Sequence, residues 1–155
     1  MAYRENHREA VMKRIETFTD IDATPQAVWD ILTDFAEYGR WNPFIPEISG
    51  TPAEGETLTV TISPPGGRNM TFTPRVRAAH PHREFAWLGH LFIPGLFDGE
   101  HRFLIEKRGD KGTRLTQREE FRGVLVGMFW KSLEPSTRRG FEAMNAALKL
   151  RAEGG

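Results

Sequence analysis

Five segments with the pattern of β-strands follow one another through the middle of the chain, separated by short turn-type sequences. The segments cover residues 57–62, 70–79, 83–91, 99–108 and 113–122. The sequences between them are rich in glycine, proline and polar residues, apart from the apolar connection at 93–96. Because strands joined by short turns pair as antiparallel neighbours, this run predicts one antiparallel sheet.

Helical patterns flank the strand run. After a predicted first strand at 11–22, Thr24 and Pro25 are typical of a helix N-cap and first helical position. A second short helix is predicted at 36–40. The last stretch, 125–151, has an apolar stripe at helical spacing formed by Phe141, Met144 and Leu148. Pro135 is expected to break or kink this last helix.

Length and composition indicate one folded domain. The chain has 155 residues, of which 39% are hydrophobic and 27% charged, as in an ordinary globular protein. We expect residues 1–10 to form an N-terminal lead-in, 11–151 a single domain, and 152–155 a short tail. The predicted class is α+β, with a curved antiparallel sheet beside a long C-terminal helix.

The composition also argues against several classes of function. Lys and Arg together number 21, as do Asp and Glu, so the basic excess typical of nucleic-acid binding is absent. The longest apolar run, Gly123–Trp130, is too short for stable membrane insertion. With no cysteines and only scattered histidines, we expect no metal site and no cofactor. The charged N-terminus predicts a cytoplasmic location.

Turn centres allow the facing residues of neighbouring strands to be estimated. The predicted registers place Phe103 opposite Gln117, His101 opposite Glu119, Trp87 beside His101, Val76 beside Trp87, and Val60 near Pro74. One face of the sheet then collects Leu58, Val60, Ile62, Phe72, Val76, Trp87, Phe103 and Ile105. This agreement among separate registers predicts one apolar, concave face. Pro74 does not fit a strand interior and predicts a bulge or an edge.

Several local sequences stand within this order of strands and helices, namely Ile21–Pro25, Val28-Trp29, Trp41–Phe44, Gly99–His101, Glu119, Phe121–Gly123 and Gly140–Asn145. Together with the order of elements, they resemble the START-like SRPBCC superfamily in its polyketide cyclase/dehydrase-like branch. The resemblance implies a helix-grip fold of about seven strands in the order β-α-α-β6-α. It transfers no catalytic residue, and fold alone does not fix function.

The predicted inner face holds one polar cluster, formed by His101, Glu119 and Gln117 beside Trp87. We therefore predict a small hydrophobic ligand, lipid-like or aromatic, in a cavity between the sheet and the C-terminal helix. The predicted ligand-binding residues are Val60, Phe72, Val76, Trp87, His101, Phe103, Gln117, Glu119, Phe141 and Met144. A carboxylate opposite His101 is expected to fix the tautomer of its ring.

Several interpretations of these residues remain open from the sequence. His101 and Glu119 can satisfy each other structurally, or His101 can serve as acid/base in a cyclase or dehydratase with Glu119 orienting it. The apolar loop at 92–97 fits a gate, a packing contact with the last helix, or, with segment 124–133, the surface of a homodimer. For Trp41–Phe44 the favoured role is structural, with Asn42 bonded to the backbone, and the alternative is the cavity entrance.

Overall fold

The structure is a computed structural model that describes residues 12–91 and 93–154. Its elements in chain order are β1 Met12–Ile21, α1 Pro25–Thr33, a short 3-10 turn Phe35–Glu37, α2 Tyr38–Trp41, β2 Glu47–Ser49, β3 Thr59–Ile62, β4 Met70–Phe72, β5 Arg75–His80, β6 Glu84–Leu91, β7 Phe97–Arg108, β8 Gly112–Arg122 and α3 Val126–Ala152. The predicted lead-in at 1–10 lies outside the described residues.

The strands form two antiparallel sheets. The larger sheet has the order β1-β8-β7-β6-β5, and the smaller one has the order β2-β3-β4. A bridge between Thr57 and Arg75 and a hydrogen bond from Val76 N to Glu56 O connect the two. Together they wrap around α3, which confirms the predicted α+β helix-grip architecture.

The predicted registers of the larger sheet are confirmed. Phe103 pairs with Gln117, His101 with both Glu119 and Trp87, and Trp87 with Val76. In the smaller sheet the prediction is wrong by two residues, because Val60 pairs with Phe72 rather than lying near Pro74. A shift of two residues keeps each side chain on its face, so the apolar inner face survives this error.

Two differences in the strands follow from chain features that a pattern of apolar residues does not capture. The predicted strand at 70–79 is divided into β4 and β5, with Pro74 at the break, because proline cannot donate to a strand ladder. The short strand β2 was not predicted, since three residues are too few to show an alternating pattern. The part of the chain that the structure describes therefore contains eight strands, against a predicted total of about seven.

The C-terminal helix continues past its internal proline. Of the predicted break or kink at Pro135, the break is wrong, since α3 is one helix from Val126 to Ala152. Pro135 lies on the exposed side, where water can hydrate the carbonyl oxygen that loses its intrahelical partner. Packing of the buried stripe Phe141, Met144 and Leu148 against the sheet stabilises the helix after this position, and the buried Val126 holds its first turn.

Two side-chain hydrogen-bonding features predicted from the sequence are present. At the start of α1 the hydroxyl of Thr24 accepts a hydrogen bond from Ala27 N at 3.2 Å, which confirms the predicted N-cap. After α2, the side-chain oxygen of Asn42 accepts from Phe44 N at 3.0 Å and from Ile45 N at 2.8 Å. These bonds confirm the structural role of Asn42 and direct the Phe44 ring towards α3.

Candidate ligand-binding site

A cavity of about 390 Å³ lies between the smaller sheet, the β6–β8 part of the larger sheet and the first half of α3. Its wall is mostly apolar and rich in aromatic rings, among them Phe44, Phe72, Phe97, Phe121 and Phe129. A volume of this size is within the range that accommodates small organic ligands. The helix therefore does not fill the concave face of the sheet completely.

Half of the predicted ligand-binding residues line this cavity. These are Val60, Phe72, Trp87, His101 and Glu119. The other five are buried in the packed core and do not line it, namely Val76, Phe103, Gln117, Phe141 and Met144. The concave face is thus divided, because α3 packs tightly on one end of it and leaves the other end open.

Sequence reasoning missed several lining residues that share a face with those it found. Phe121 follows Glu119 by two residues on β8, and Gly99 precedes His101 by two on β7. The period of a strand places each such pair on one side of the sheet, so the signal was available. On α3, the spacing of Phe129, Leu133 and Ser136 places all three on the helix face that lines the cavity.

His101 is the buried polar residue at the inner end of the cavity. Only 3% of its surface is exposed, and its ring stacks on Phe103 with the centroids 4.4 Å apart. Phe141 and Trp87 lie against the same ring at centroid distances of 4.7 and 5.2 Å. The imidazole is held from three sides by aromatic rings, so its orientation is set by packing.

The carboxylate of Glu119 lies beside this imidazole. Its Oε2 atom is 3.5 Å from Nδ1 of His101, a separation typical of an ion pair and longer than a good hydrogen bond. The side chain of Glu119 is 17% exposed, so it is largely shielded from solvent. The predicted pairing of His101 with Glu119 across β7 and β8 is therefore present in the structure.

A chain of buried polar side chains extends from His101 away from the cavity. His101 Nε2 lies 3.0 Å from Gln117 Oε1, and Gln117 Nε2 donates to Asn145 Oδ1 at 2.7 Å. Asn145 Nδ2 donates in turn to the hydroxyl of Thr17 at 2.9 Å. This relay connects the cavity wall through α3 to β1.

The relay assigns the protonation of the His101 ring. Gln117 Nε2 also donates to the backbone carbonyl of Phe141 at 3.3 Å, and a carbonyl can only accept. The amide oxygen of Gln117 must then face His101, so His101 Nε2 carries a proton. Gln117 therefore fixes the tautomer of His101. The sequence-based expectation that Glu119 would fix it is wrong. Nδ1 is the position at which His101 can gain or lose a proton towards Glu119 or a ligand.

The position of the Glu119 carboxylate depends on a glycine across the sheet. A β-carbon at Gly99 would lie 2.6 Å from Glu119 Oε1, closer than real side chains approach. The missing side chain allows the carboxylate to lie against the backbone of β7. Gly99 and its partner Gly89 on β6 both line the cavity, so these two positions add to its volume.

The loop before β7 is tied to the start of α3. Leu125 N donates to Leu96 O at 3.0 Å, and Phe97 is buried where it lines the cavity. This part of the loop therefore makes the packing contact that was one of its predicted roles. Ile93, Val124 and Met128 remain exposed at this end of the molecule. Homodimer formation through this surface stays a prediction, to be tested by sedimentation equilibrium.

Within 12–91 and 93–154, no three or more side chains of His, Asp or Glu are grouped as metal ligands would be. Over the same ranges, the helices are all too short or too polar to cross a bilayer.

A family model described as "Polyketide cyclase / dehydrase and lipid transport" matches residues 12–153. This match covers nearly all of the described chain, including every strand that forms the cavity. No protein with a curated description matches the sequence significantly.

Solved structures share the fold at low sequence identity. The Zhui aromatase/cyclase from Streptomyces sp. R1128 is 18% identical, with a TM-score of 0.76 over 92% of this chain and 94% of that one. A START superfamily protein from Mycobacterium smegmatis is 21% identical, with a TM-score of 0.70 over 90% and 97%. A norcoclaurine synthase point mutant from Thalictrum flavum is 16% identical, with a TM-score of 0.71 over 92% and 95%. At such identities the likeness establishes the fold alone.

Proposed function

Because this chain belongs to the polyketide cyclase/dehydrase and lipid transport family, we propose that it binds a small hydrophobic molecule in the cavity between the sheet and α3. The observation that carries this proposal is the cavity of about 390 Å³ with its aromatic wall. Burial of a ligand against these rings removes apolar surface from water, which is the main source of affinity in such sites.

Dye binding with a cavity-blocking variant tests this proposal. Ser136 lies half-buried on α3 and lines the cavity, so Ser136→Phe should fill part of it. Ala146 lies on the exposed side of the same helix, so Ala146→Phe is the matched control. We expect N-phenylnaphthylamine, a neutral dye, to bind the wild type and Ala146→Phe saturably with one site per chain. Ser136→Phe should lose this binding.

The proposal is wrong if the dye does not bind the wild type. It is also wrong in its location if Ser136→Phe binds the dye as tightly as the wild type does. Thermal unfolding of both variants checks that the substitution at Ser136 leaves the domain folded.

An enzymatic role is the second candidate, supported by the pair His101 and Glu119 at the cavity wall. With Nε2 committed to Gln117, the groups left for acid–base chemistry are His101 Nδ1 and the Glu119 carboxyl, which lie 3.5 Å apart. In the dehydration of a bound β-hydroxy ketone, the basic member of the pair takes the proton from the α-carbon. The carbon–oxygen bond breaks as the double bond forms, and the acidic member protonates the departing hydroxyl to water.

A chromogenic dehydration tests this second candidate. The β-hydroxy ketone that loses water to give benzylideneacetone produces an absorbing product, so its conversion can be followed directly. We expect wild-type protein to accelerate the reaction over buffer, and Glu119→Gln to abolish the acceleration. Glu120→Gln, next along β8, is the control, since Glu120 pairs with Arg14 and does not line the cavity. A wild-type rate equal to that of buffer, or an unaffected Glu119→Gln rate, argues against this candidate.

A further inference from the structure

The polar atoms that face the cavity are mainly hydrogen-bond acceptors. Six polar residues line the cavity in the part of the chain that the structure describes, namely His90, His101, Glu119, Ser132, Ser136 and Thr137. What each can offer a ligand depends on where its own protons are already committed. Their hydrogen bonds therefore indicate the chemistry of the molecule proposed to bind here.

Two serines on α3 have committed their hydroxyl protons to backbone carbonyls. Ser132 Oγ donates to Phe129 O, and Ser136 Oγ donates to Pro65 O, both at 3.1 Å. A carbonyl can only accept, so the direction of both bonds is settled. The lone pairs of these hydroxyl oxygens remain for a ligand.

On the opposite wall, His101 and Glu119 also present acceptors. The Nε2 proton of His101 is committed to Gln117, which leaves Nδ1 facing Glu119 Oε2. These two atoms face each other at 3.5 Å. Glu119 Oε1 lies outside this contact, against Gly99, and an ionised carboxylate can only accept through it.

The remaining two residues, His90 and Thr137, do not change the predominance of hydrogen-bond acceptors. His90 Nδ1 lies 2.6 Å from Asp98 Oδ1, and Asp98 also accepts from Gly95 N through both of its oxygens, at 3.1 Å each. The carboxylate is an acceptor in this contact, so His90 donates through Nδ1, and in the neutral form of the ring Nε2 can only accept. Thr137 has a rotatable hydroxyl that can serve in either role.

From this pattern we infer that the ligand carries a hydrogen-bond donor, a hydroxyl, phenol or amine, directed at Glu119, and that it is not a carboxylate. This inference rests on the proposed binding function and specifies its ligand class. A donor group satisfies Glu119 Oε1, which otherwise loses its hydration when an apolar molecule fills the cavity. A carboxylate would be brought close to the Glu119 carboxyl, and the described lining residues include no lysine or arginine to compensate it.

A series of three naphthalenes substituted at the same ring position tests this inference. Naphthol offers a donor, methoxynaphthalene is the same molecule with the donor methylated, and naphthoate is an anion. Isothermal titration at neutral pH should give naphthol the highest affinity. We expect the other two to bind about tenfold more weakly or worse, which is the usual effect of leaving a hydrogen bond to a carboxylate unmade.

The variant Glu119→Gln separates hydrogen bonding from ligand size. Glutamine has the same shape but also offers an N–H donor, so the preference for naphthol over both analogues should largely disappear. Glu120→Gln, which changes a carboxylate outside the cavity, should keep the wild-type preference.

The outcomes distinguish this inference from the function on which it rests. If methoxynaphthalene or naphthoate binds the wild type as tightly as naphthol, the donor inference is wrong and hydrophobic binding stands. The donor inference is equally wrong if Glu119→Gln keeps the full preference. If none of the three binds, and the neutral dye does not bind either, the proposed function itself fails.

Discussion

Gln117 Oε1 lies 3.0 Å from His101 Nε2, while Gln117 Nε2 donates to the backbone carbonyl of Phe141 at 3.3 Å and to Asn145 Oδ1 at 2.7 Å. A carbonyl fixed in α3 thus sets the orientation of an amide on β8, and the amide sets the proton of an imidazole on β7. Gln117 does not line the cavity, yet it decides which nitrogen of His101 carries the proton. It is a positioning residue.

Ring-nitrogen NMR of His101 tests this role. We expect the wild type to show a protonated Nε2 at every pH at which the domain is folded. Gln117→Leu removes the acceptor for the Nε2 proton, so the Nε2–H tautomer is no longer the only one favoured. The Nδ1–H tautomer should then become populated. It also leaves Asn145 Oδ1 and the ring N–H unpaired in the core, which should lower the free energy of unfolding by about 1–3 kcal/mol.

The matched variant for this experiment is Gln117→Glu. Its carboxylate can still accept from His101 Nε2 but cannot donate to the Phe141 carbonyl. We expect it to retain the Nε2–H tautomer while losing stability. An unchanged tautomer in Gln117→Leu would contradict the assignment of Gln117 as the positioning residue.

Gly99→Ala should displace the Glu119 carboxylate without unfolding the sheet. The new β-carbon would lie 2.6 Å from Glu119 Oε1, and the end of a glutamate side chain can move away at modest cost. We expect naphthol affinity to fall about tenfold. The free energy of unfolding should change by less than about 1 kcal/mol. Isothermal titration and urea unfolding measure the two effects, and wild-type affinity in Gly99→Ala would show that the carboxylate position does not matter.

Gly140→Ala should be destabilising because two elements meet at this position. A β-carbon there would lie 2.3 Å from Cδ2 of Phe44, and the Phe44 ring is packed edge-on against Phe141 with little room to move. We expect the free energy of unfolding to fall by about 1–3 kcal/mol, as in other overpacked cores.

Gly127→Ala on the same helix is the control for Gly140→Ala. Apart from its chain neighbours and the backbone of its own helix, no atom lies within 4 Å of its β-carbon position, so only the gain in helix propensity remains. This variant should be more stable than the wild type by up to about 1 kcal/mol. Equal effects of the two substitutions in urea unfolding would show that Phe44 does not crowd Gly140.

Asp20 should make the stability of the domain depend on acid pH. Hydrogen bonds from the Arg114 guanidinium, at 2.8 and 3.0 Å, lower the pKa of Asp20 below its ordinary value of 3.8. A lowered folded-state pKa stabilises the domain above the pKa of the unfolded chain, and this contribution is lost as pH falls through the folded-state value. NMR titration of the Asp20 carboxyl measures the shift directly.

The variant Arg114→Gln provides the control for this pH effect. Removal of the guanidinium should return the pKa of Asp20 towards 3.8 and reduce the decline of the urea midpoint in acid. High salt should weaken the effect in the wild type, since the pair is exposed at the surface. An Asp20 pKa that does not move in Arg114→Gln would rule out this pair as the cause.

The apolar alternation of β6 to β8 made much of the larger sheet predictable. The pairing of Trp87, His101 and Glu119 followed from turn centres because the connections were short and the strands regular. The register of Val60 was wrong because the long turn at 63–69 does not specify its own centre. Pro74 was predicted to lie at a bulge or an edge. Where the strand divides there depends on the pairing of β4 in the smaller sheet and of β5 in the larger one.

By itself the sequence determined the order of elements, the family and the apolar face, because strand and helix periods are local properties. It did not determine which half of that face would stay open. That depends on how far α3 lies along the sheet, and this is set by contacts such as Phe44 on Gly140, far apart in sequence. The tertiary structure alone brought Phe141 O and Asn145 to Gln117, and so decided the tautomer of His101.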